Sequence, residues 1–525
     1  MRWKTLAAGL ALLVVAAAVR LPALPAGLPY MTYVDEGHVL HHVLHLLERR
    51  TWEPDNYSYG SLPFYLIAGT ALAWSPVYAS LHGHPLADDL SPNPSLYYDI
   101  VEPVDLLVIG RLVTLAFSLG VVALTGLLAR RLAGPAAGLF AAWLAALVPA
   151  LVARSSIVNI NPLVAFFVLA GLLFAEGARD GPRPRRDAAL AGAMTGLAAA
   201  TKYPALLVCL PVALAVLLAQ ATWSEKLRRL LLAGGAAGVT VVLAMPAVAL
   251  RTASVLAAAH EMSQVYGAQE LGSYWEQVVH RAEWDLPLDH PELGVAFLVL
   301  AAMGLAVGLR DRRWSRSAWG WLLFAVATGC LVSPYKFRAF RNLLSLVPLG
   351  CVLVALLYAA IRGRLSRSSR PSRQRWLDLA AAVLPVLLFA PALHDYVMFQ
   401  RGLEDTREKA VHWLAARARP EDRILFVEEL AFLPGRVARL PSETTVRSWN
   451  QAWKRVWGRR FNYLVLGDIV APDGTSWILP DMREWLMKNY RLEATFGSAT
   501  SDPYPGDLKG NGQKIYILRR VPRTD

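Results

Sequence analysis

Charge, acids and cysteine are all scarce in this chain. Asp, Glu, Lys and Arg make up only 18% of its 525 residues, apolar residues make up 55%, and the mean hydropathy is +0.36. That balance excludes an ordinary soluble enzyme and describes a polytopic membrane protein. Acids number 40 against 53 Lys and Arg, for a formal charge of +13. The bases fall in short clusters between apolar runs, the pattern that orients membrane helices, so the charge does not point to nucleic acid. The three cysteines, Cys209, Cys330 and Cys351, lie inside apolar segments without metal-ligand spacing. A disulfide framework or a zinc site built on them is not expected. No nucleotide-binding glycine loop stands in the C-terminal region, and no internal repeat in the chain.

Long apolar runs are abundant. Those able to cross roughly 30 Å of hydrocarbon occur at 5–22, 106–129, 135–153, 162–178, 188–203, 204–220, 230–250, 293–309, 317–333, 342–361 and 376–393, which gives eleven expected spans. The fifth and sixth are separated only by Lys202-Tyr203-Pro204. Charge settles the turn there. With Arg2 and Lys4 in the cytoplasm, the clusters at 130–131, 179–186, 226–229, 310–316 and 362–375 share one side only if the chain reverses at Lys202. The same count makes 62–81 an interfacial helix, because a span there would turn every later cluster outward. The first run also has the basic start and small residues of a signal peptide. Its removal would leave the following residues on the same outer side.

Two outer loops are long, 23–105 and 251–291. In the first, 35–49 plots as an amphipathic helix with Val39, Leu40, Val43, Leu44, Leu46 and Leu47 on one face and Asp35, His38, His41, His42 and His45 on the other, fit to lie on a membrane surface. Trp52, Tyr57, Tyr59 and Phe64 follow, aromatics suited to headgroup depth or sugar stacking. In the second, 260–284 also has helical pattern. After about Asp395 the apolar runs shorten to Ile424-Leu425-Phe426-Val427, Tyr463-Leu464-Val465-Leu466 and Ile515-Tyr516-Ile517-Leu518, alternating with helical patterns at 406–418, 448–457 and 481–489. The expected division is a transmembrane part over 1–394 and a small outer α/β domain over 395–525.

Two adjacent carboxylates, in Tyr33-Val34-Asp35-Glu36-Gly37-His38, stand just beyond the first span. Together with Tyr59-Gly60-Ser61-Leu62-Pro63-Phe64-Tyr65-Leu66, Ala200-Thr201-Lys202-Tyr203-Pro204 and the basic-aromatic segment 336–348, this order of motifs resembles the GT-C fold glycosyltransferases, and among them the bacterial branch of family 39, related to the dolichyl-phosphate-mannose protein mannosyltransferases and the aminoarabinose transferases. The likeness covers about the first 350 residues well and the terminal region in outline.

The resemblance implies a mainly α, polytopic GT-C fold and the transfer, with inversion, of a sugar from a polyprenyl-phosphate carrier to a protein, lipid or glycan acceptor outside the cytoplasmic membrane. Such a reaction needs a base for the acceptor's proton and positive charge for the departing phosphate. Asp35 is the candidate base, with Glu36 holding the acceptor or tuning it. The competing reading makes the pair a helix N-terminal cap. Lys202, Lys336, Arg338 and Arg341 are candidates for the phosphate, since they stand at outer span ends against the charge rule; Arg154 is a lesser one. Their competing role is snorkelling to anionic membrane lipids. Tyr59 and Asn161 are candidate sugar or acceptor contacts. His38 and His42 could hold a divalent metal ion beside Asp35, against the simpler reading of solvated histidines. One departure stands out. The resemblance implies an aspartate in the loop before the fourth expected span, and Asn161 is there, so that metal dependence is doubtful and Asp35 carries more of the work; Asp55 has no local support as a substitute. The rival reading is a transporter or lipid flippase with an outer domain, which predicts ionisable residues at mid-span and a duplicated topology. Neither is visible. A non-catalytic scaffold is a third reading, in which the pair is only a cap.

Overall fold

The computed structural model describes residues 2–31, 34–54, 56–90, 103–265, 293–332, 340–367, 371–401, 406–427, 437–447, 461–467, 485–486, 488–496 and 515–521. Seventeen helices are labelled here in chain order: α1 Arg2–Arg20, α2 Val34–Glu48, α3 Leu62–His82, α4 Val104–Ala133, α5 Pro135–Leu147, α6 Pro149–Ala153, α7 Asn161–Asp180, α8 Pro184–Thr201, α9 Cys209–Leu217, α10 Trp223–Ala244, α11 Ala247–Leu250, α12 Thr252–Val265, α13 Val295–Arg310, α14 Ser315–Val332, α15 Val347–Arg367, α16 Pro371–Arg401 and α17 Thr406–Ala415. Five strands follow, β1 Arg423–Val427, β2 Glu443–Arg447, β3 Tyr463–Gly467, β4 Tyr490–Phe496 and β5 Ile515–Arg520.

Each of the eleven apolar runs coincides with helix. Among the described residues, seven stretches are long and apolar enough to cross a membrane: Leu6–Ala23, Leu62–His82, Val104–Ala133, Asn161–Asp180, Trp223–Ala244, Phe340–Ser366 and Ser372–Met398. The helix Leu62–His82 meets that length and composition although the charge pattern assigns it to the interface. Other runs are shorter or broken. The run 135–153 divides at Val148, because Pro149 has no N–H to continue the helix. The buried Arg20 guanidinium supplies donors at this break, to Ala146 O at 2.8 Å and Ala145 O at 3.3 Å. A cation on the carbonyl end of α5 also suits the helix dipole.

The chain divides into two compact units, one of 1–24, 42–88 and 108–399 and another of 25–41, 89–107 and 400–525. In the first, small residues let helices approach closely. A Cβ at Gly192 would overlap the Ala233 carbonyl, and one at Gly304 the Leu353 carbonyl. At one end of these helices an ionic layer joins α7, α8, α10 and α14: Arg179 pairs with Glu176 at 2.6 Å and donates to Ser317 Oγ, Arg229 donates to Ala178 O, and Arg185 pairs with Glu225.

In the second unit the strands form one mixed sheet in the order β2-β1-β3-β5-β4. β1 is parallel to β2 and β3, and β5 is antiparallel to β3 and β4. The three strands read from the sequence are its centre, buried with Ala410, Val411 and Leu414 of α17 in one apolar core. The edge strands β2 and β4 carry Glu443, Arg491 and Glu493, charges that discourage further pairing. The helical pattern at 448–457 lies outside the described residues, as does most of 481–489.

Candidate functional site

Two of the sequence motifs meet in the first unit. Gly60 packs directly on the C-terminal end of α8, where a Cβ would overlap the Ala200 carbonyl and crowd the Thr201 amide. Only the absence of a side chain permits this approach. Tyr203, just beyond α8, closes it from the other side: its hydroxyl donates to Tyr57 O at 2.7 Å and reaches Tyr59 O at 3.3 Å. Tyr65 adds a bond to Trp52 O at 2.7 Å, and Arg251 pairs with Glu53 at 3.0 Å. Residues 57–60 are thus fastened to the residues flanking Lys202. Tyr59 contributes its carbonyl to this clamp and keeps a half-buried side chain.

Lys202 leaves α8 in extended conformation, with φ −155° and ψ 121°. Its ammonium donates to Asn342 Oδ1 at 2.7 Å and Asn161 Oδ1 at 3.0 Å. Asn161 is oriented by its neighbour Asn159, whose Oδ1 accepts from both the backbone N–H and the side-chain amide of Asn161 at 2.8 and 2.7 Å. This short turn of side chain onto backbone starts α7. Thr328, Arg341 and Ser345 complete the recess. The Thr328 hydroxyl is buried and has no hydrogen-bond partner among the described residues. The recess holds about 30 Å³, room for about one water.

The turn Phe340–Leu346 separates this recess from an apolar groove of about 250 Å³. Asn342 and Ser345 line the recess, while Leu343 and Leu346 line the groove with Phe297 and Trp321. Polar and apolar cavities therefore share one wall. Arg154 lies nearby in the sequence of contacts: buried, with its guanidinium 5.5 Å from the centre of the Phe340 ring.

Asp35 and Glu36 occupy the first turn of α2, as the sequence pattern requires. Glu36 is fully buried and Asp35 half-buried. Val39, Leu40 and Val43 are buried as the periodicity demands, and on the other face His42 is buried too, its ring centre 4.6 Å from that of Phe64, while Asp35, His38, His41 and His45 are half-buried. Periodicity identifies the apolar face of a helix; it carries no information about what packs on the polar one. His38 and His42 are four residues apart on α2, yet among the described residues no group of three or more His, Cys, Asp or Glu side chains is arranged to hold a metal ion.

Of the residues singled out from the sequence, Lys202, Asn161 and Arg341 are brought together, and Lys336, Arg338 and Asp55 lie outside the described residues. Asn342, Ser345 and Thr328 were not anticipated. Asn342 and Ser345 do carry a signal, two polar residues three apart entering an apolar run; Thr328, inside a span, carries none.

Comparison with known proteins follows this geometry. Residues 105–249 match the sequence model of the family described as dolichyl-phosphate-mannose-protein mannosyltransferase. The structure is similar to ArnT from Cupriavidus metallidurans bound to undecaprenyl phosphate, with a TM-score of 0.54 at 14% identity over 97% of either chain. It is also similar to the archaeal oligosaccharyltransferase AglB from Archaeoglobus fulgidus in complex with an inhibitory peptide and a dolichol-phosphate, with a TM-score of 0.51 at 12% identity over 100% of this chain and 76% of that one. The comparison with curated protein sequences gives no match. In fold, then, the chain is similar to these two proteins, and residues 105–249 match the mannosyltransferase family model. The likeness to the ArnT structure runs almost end to end.

Proposed function

We propose that the protein is an integral membrane glycosyltransferase that moves a sugar from a polyprenyl-phosphate carrier to an acceptor on the outer side of the cell membrane, with inversion at the anomeric carbon. One observation carries the reading: a lysine ammonium held at a span end by two neutral amide oxygens, beside Arg341, with an apolar groove on the other side of the same wall. The two amide oxygens orient the ammonium and carry no charge of their own. A phosphate with a long apolar tail suits both halves of this arrangement. ArnT and AglB, the two fold relatives, were solved with a lipid phosphate bound.

In the proposed reaction Asp35 takes the proton of the acceptor's hydroxyl as its oxygen attacks the anomeric carbon. The bond from that carbon to the phosphate oxygen breaks, and the electron pair leaves on the phosphate. Lys202 and Arg341, with Lys336 and Arg338, meet the charge that grows there. A single displacement inverts the centre. Glu36 tunes the base or holds the acceptor, and Tyr59 and Asn161 contact sugar or acceptor. Residues 395–525 form an extracytoplasmic domain that selects the acceptor.

The test is turnover of labelled polyprenyl-phosphate sugars by purified protein in detergent, wild type beside Asp35→Asn. Consumption by wild type and sparing by the variant support the reaction class and the base. If wild type neither binds nor consumes any carrier, the transferase reading fails and a transporter or scaffold takes its place. A variant as fast as wild type leaves the enzyme standing and makes Asp35 a helix cap.

A further inference from the structure

Arg407 is the second residue of α17, in the terminal unit. It is among the largest fully buried side chains of the protein, 1% exposed. Its guanidinium carbon lies 3.8 Å from the centre of the Tyr30 ring, also fully buried, and both residues belong to the same compact unit. Removing a guanidinium from water is costly unless its partners hold it well. Stacking on an aromatic face is one such partner, and it strengthens when desolvated.

The placement of Tyr30 gives the contact its consequence. The backbone over 25–30 is folded on itself, with the Leu28 N–H donating to Pro25 O at 3.2 Å and the Tyr30 N–H to Gly27 O at 3.0 Å. Tyr30 therefore stands at the end of a compact turn, and α2 begins four residues later with Asp35 and Glu36 in its first turn. Four residues of chain reach at most about 14 Å, so the Tyr30 backbone lies within that distance of the start of the helix.

We propose that Arg407 is a positioning residue: through Tyr30 it fixes the start of α2 and its acidic pair, which makes the C-terminal α/β unit a working part of the transferase. The proposal rests on the reading of Asp35 as the base. No bond to substrate is assigned to Arg407.

The experiment uses the full-length protein in detergent, with Arg407→Gln, Arg407→Lys, Tyr30→Phe and Tyr30→Leu. Kinetics on a polyprenyl-phosphate sugar turned over by wild type are read beside hydrogen exchange across 34–41. Arg407→Gln and Tyr30→Leu should each lower kcat about 30-fold, equivalent to about 2 kcal/mol at roughly 1.36 kcal/mol per tenfold. The donor KM should stay within about twofold, since donor binding is assigned elsewhere. Arg407→Lys and Tyr30→Phe, which keep a cation and a ring, should recover most of the rate, and the double variant Arg407→Gln/Tyr30→Leu should be no slower than either single change. Exchange at the start of α2 should quicken in Arg407→Gln. Wild-type kcat in that variant overturns the proposal, as does a raised donor KM with kcat intact. Equal losses in the glutamine and lysine variants, matched by equal falls in melting temperature, would make Arg407 a stability residue only. If wild type turns over no carrier, the transferase reading falls; unchanged exchange across 34–41 in Arg407→Gln would then refute the positioning as well.

Discussion

Asn342→Asp separates anion binding from stability at the Lys202 recess. The replacement preserves shape and adds one negative charge at the oxygen that now accepts from Lys202 Nζ at 2.7 Å. Two terms set the effect on folding. The attraction between unit charges is worth about 4 kcal/mol at 4 Å with an effective dielectric of 20, and desolvating a carboxylate beside a half-buried lysine costs several kcal/mol. They nearly cancel, so the melting temperature should hold or rise slightly. Donor binding has no such compensation. The phosphate would meet an ammonium already neutralised and a carboxylate next to it. Losing one charge-assisted hydrogen bond of about 1.5–3 kcal/mol weakens the donor Kd roughly 10- to 150-fold at about 1.4 kcal/mol per decade. Asn342→Leu is the counterpart: it removes an acceptor without adding charge, lowers stability by about 1–3 kcal/mol, and should affect donor affinity less. The assay is titration of purified protein with a polyprenyl phosphate, read by tryptophan fluorescence, with thermal unfolding in the same detergent. An aspartate variant that binds the lipid phosphate as tightly as wild type would refute Lys202 as its ligand.

Gly60→Ala forces a methyl group into the backbone at Ala200, and overpacking of this kind costs about 1–3 kcal/mol; unfolding should begin at lower temperature with turnover reduced, and a variant equal to wild type on both counts would show that the clamp yields freely. Arg20→Met leaves the Ala145 and Ala146 carbonyls without their donor in a dry setting, for a loss of about 2–4 kcal/mol; an unchanged unfolding temperature would mean that the break at Pro149 needs no such cap. In the terminal sheet, burial raises the pKa of Tyr490, whose hydroxyl donates to Phe461 O at 3.1 Å. With the folded pKa above the unfolded value of about 10, its contribution is full below that pH and lost as pH rises through the folded pKa. Alkaline unfolding followed by the fluorescence of Trp485, 6.1 Å from the Tyr490 ring, should therefore move to higher pH in Tyr490→Phe. An unmoved transition would place the alkaline weak point elsewhere.

Apolar length and charge alternation made the membrane helices legible because a bilayer imposes both. They could not reveal the break at Val148, which depends on a proline together with an arginine more than 120 residues earlier. The central strands β1, β3 and β5 could be read because burial on both faces demands unbroken apolar runs. β2 and β4 escaped for the opposite reason: as edges they need charge, and Glu-Thr-Thr-Val-Arg reads as a loop. In the recess, Lys202 and Arg341 were visible as bases on the wrong side of the charge rule, and Asn161 as a departure from the family's pattern. The structure gives that departure a role, since its amide oxygen holds Lys202, and an aspartate there would pair with the same ammonium. Two motifs that looked separate, Tyr59-Gly60 and Lys202-Tyr203, prove to be halves of one contact.

Buried charge also bears on the rival reading. A transporter needs ionisable groups that change partners along a path through the span centre. Arg20, Arg111, Glu176 and Arg179 are all buried here, but each lies within about two turns of a helix end. Their bonds go to fixed structure: Arg20 to the carbonyls ending α5, Arg111 to Leu24 O at 2.8 Å, and Arg179 to Glu176 and Ser317. An arginine bonded to helix-end carbonyls satisfies groups that lipid would leave bare. It has no proton to relay at any physiological pH. Charges so placed fasten helix ends and leave the span centres apolar. That suits the proposed binding of a lipid phosphate at one end of the bundle, and among the described residues it offers no charged path from one end to the other.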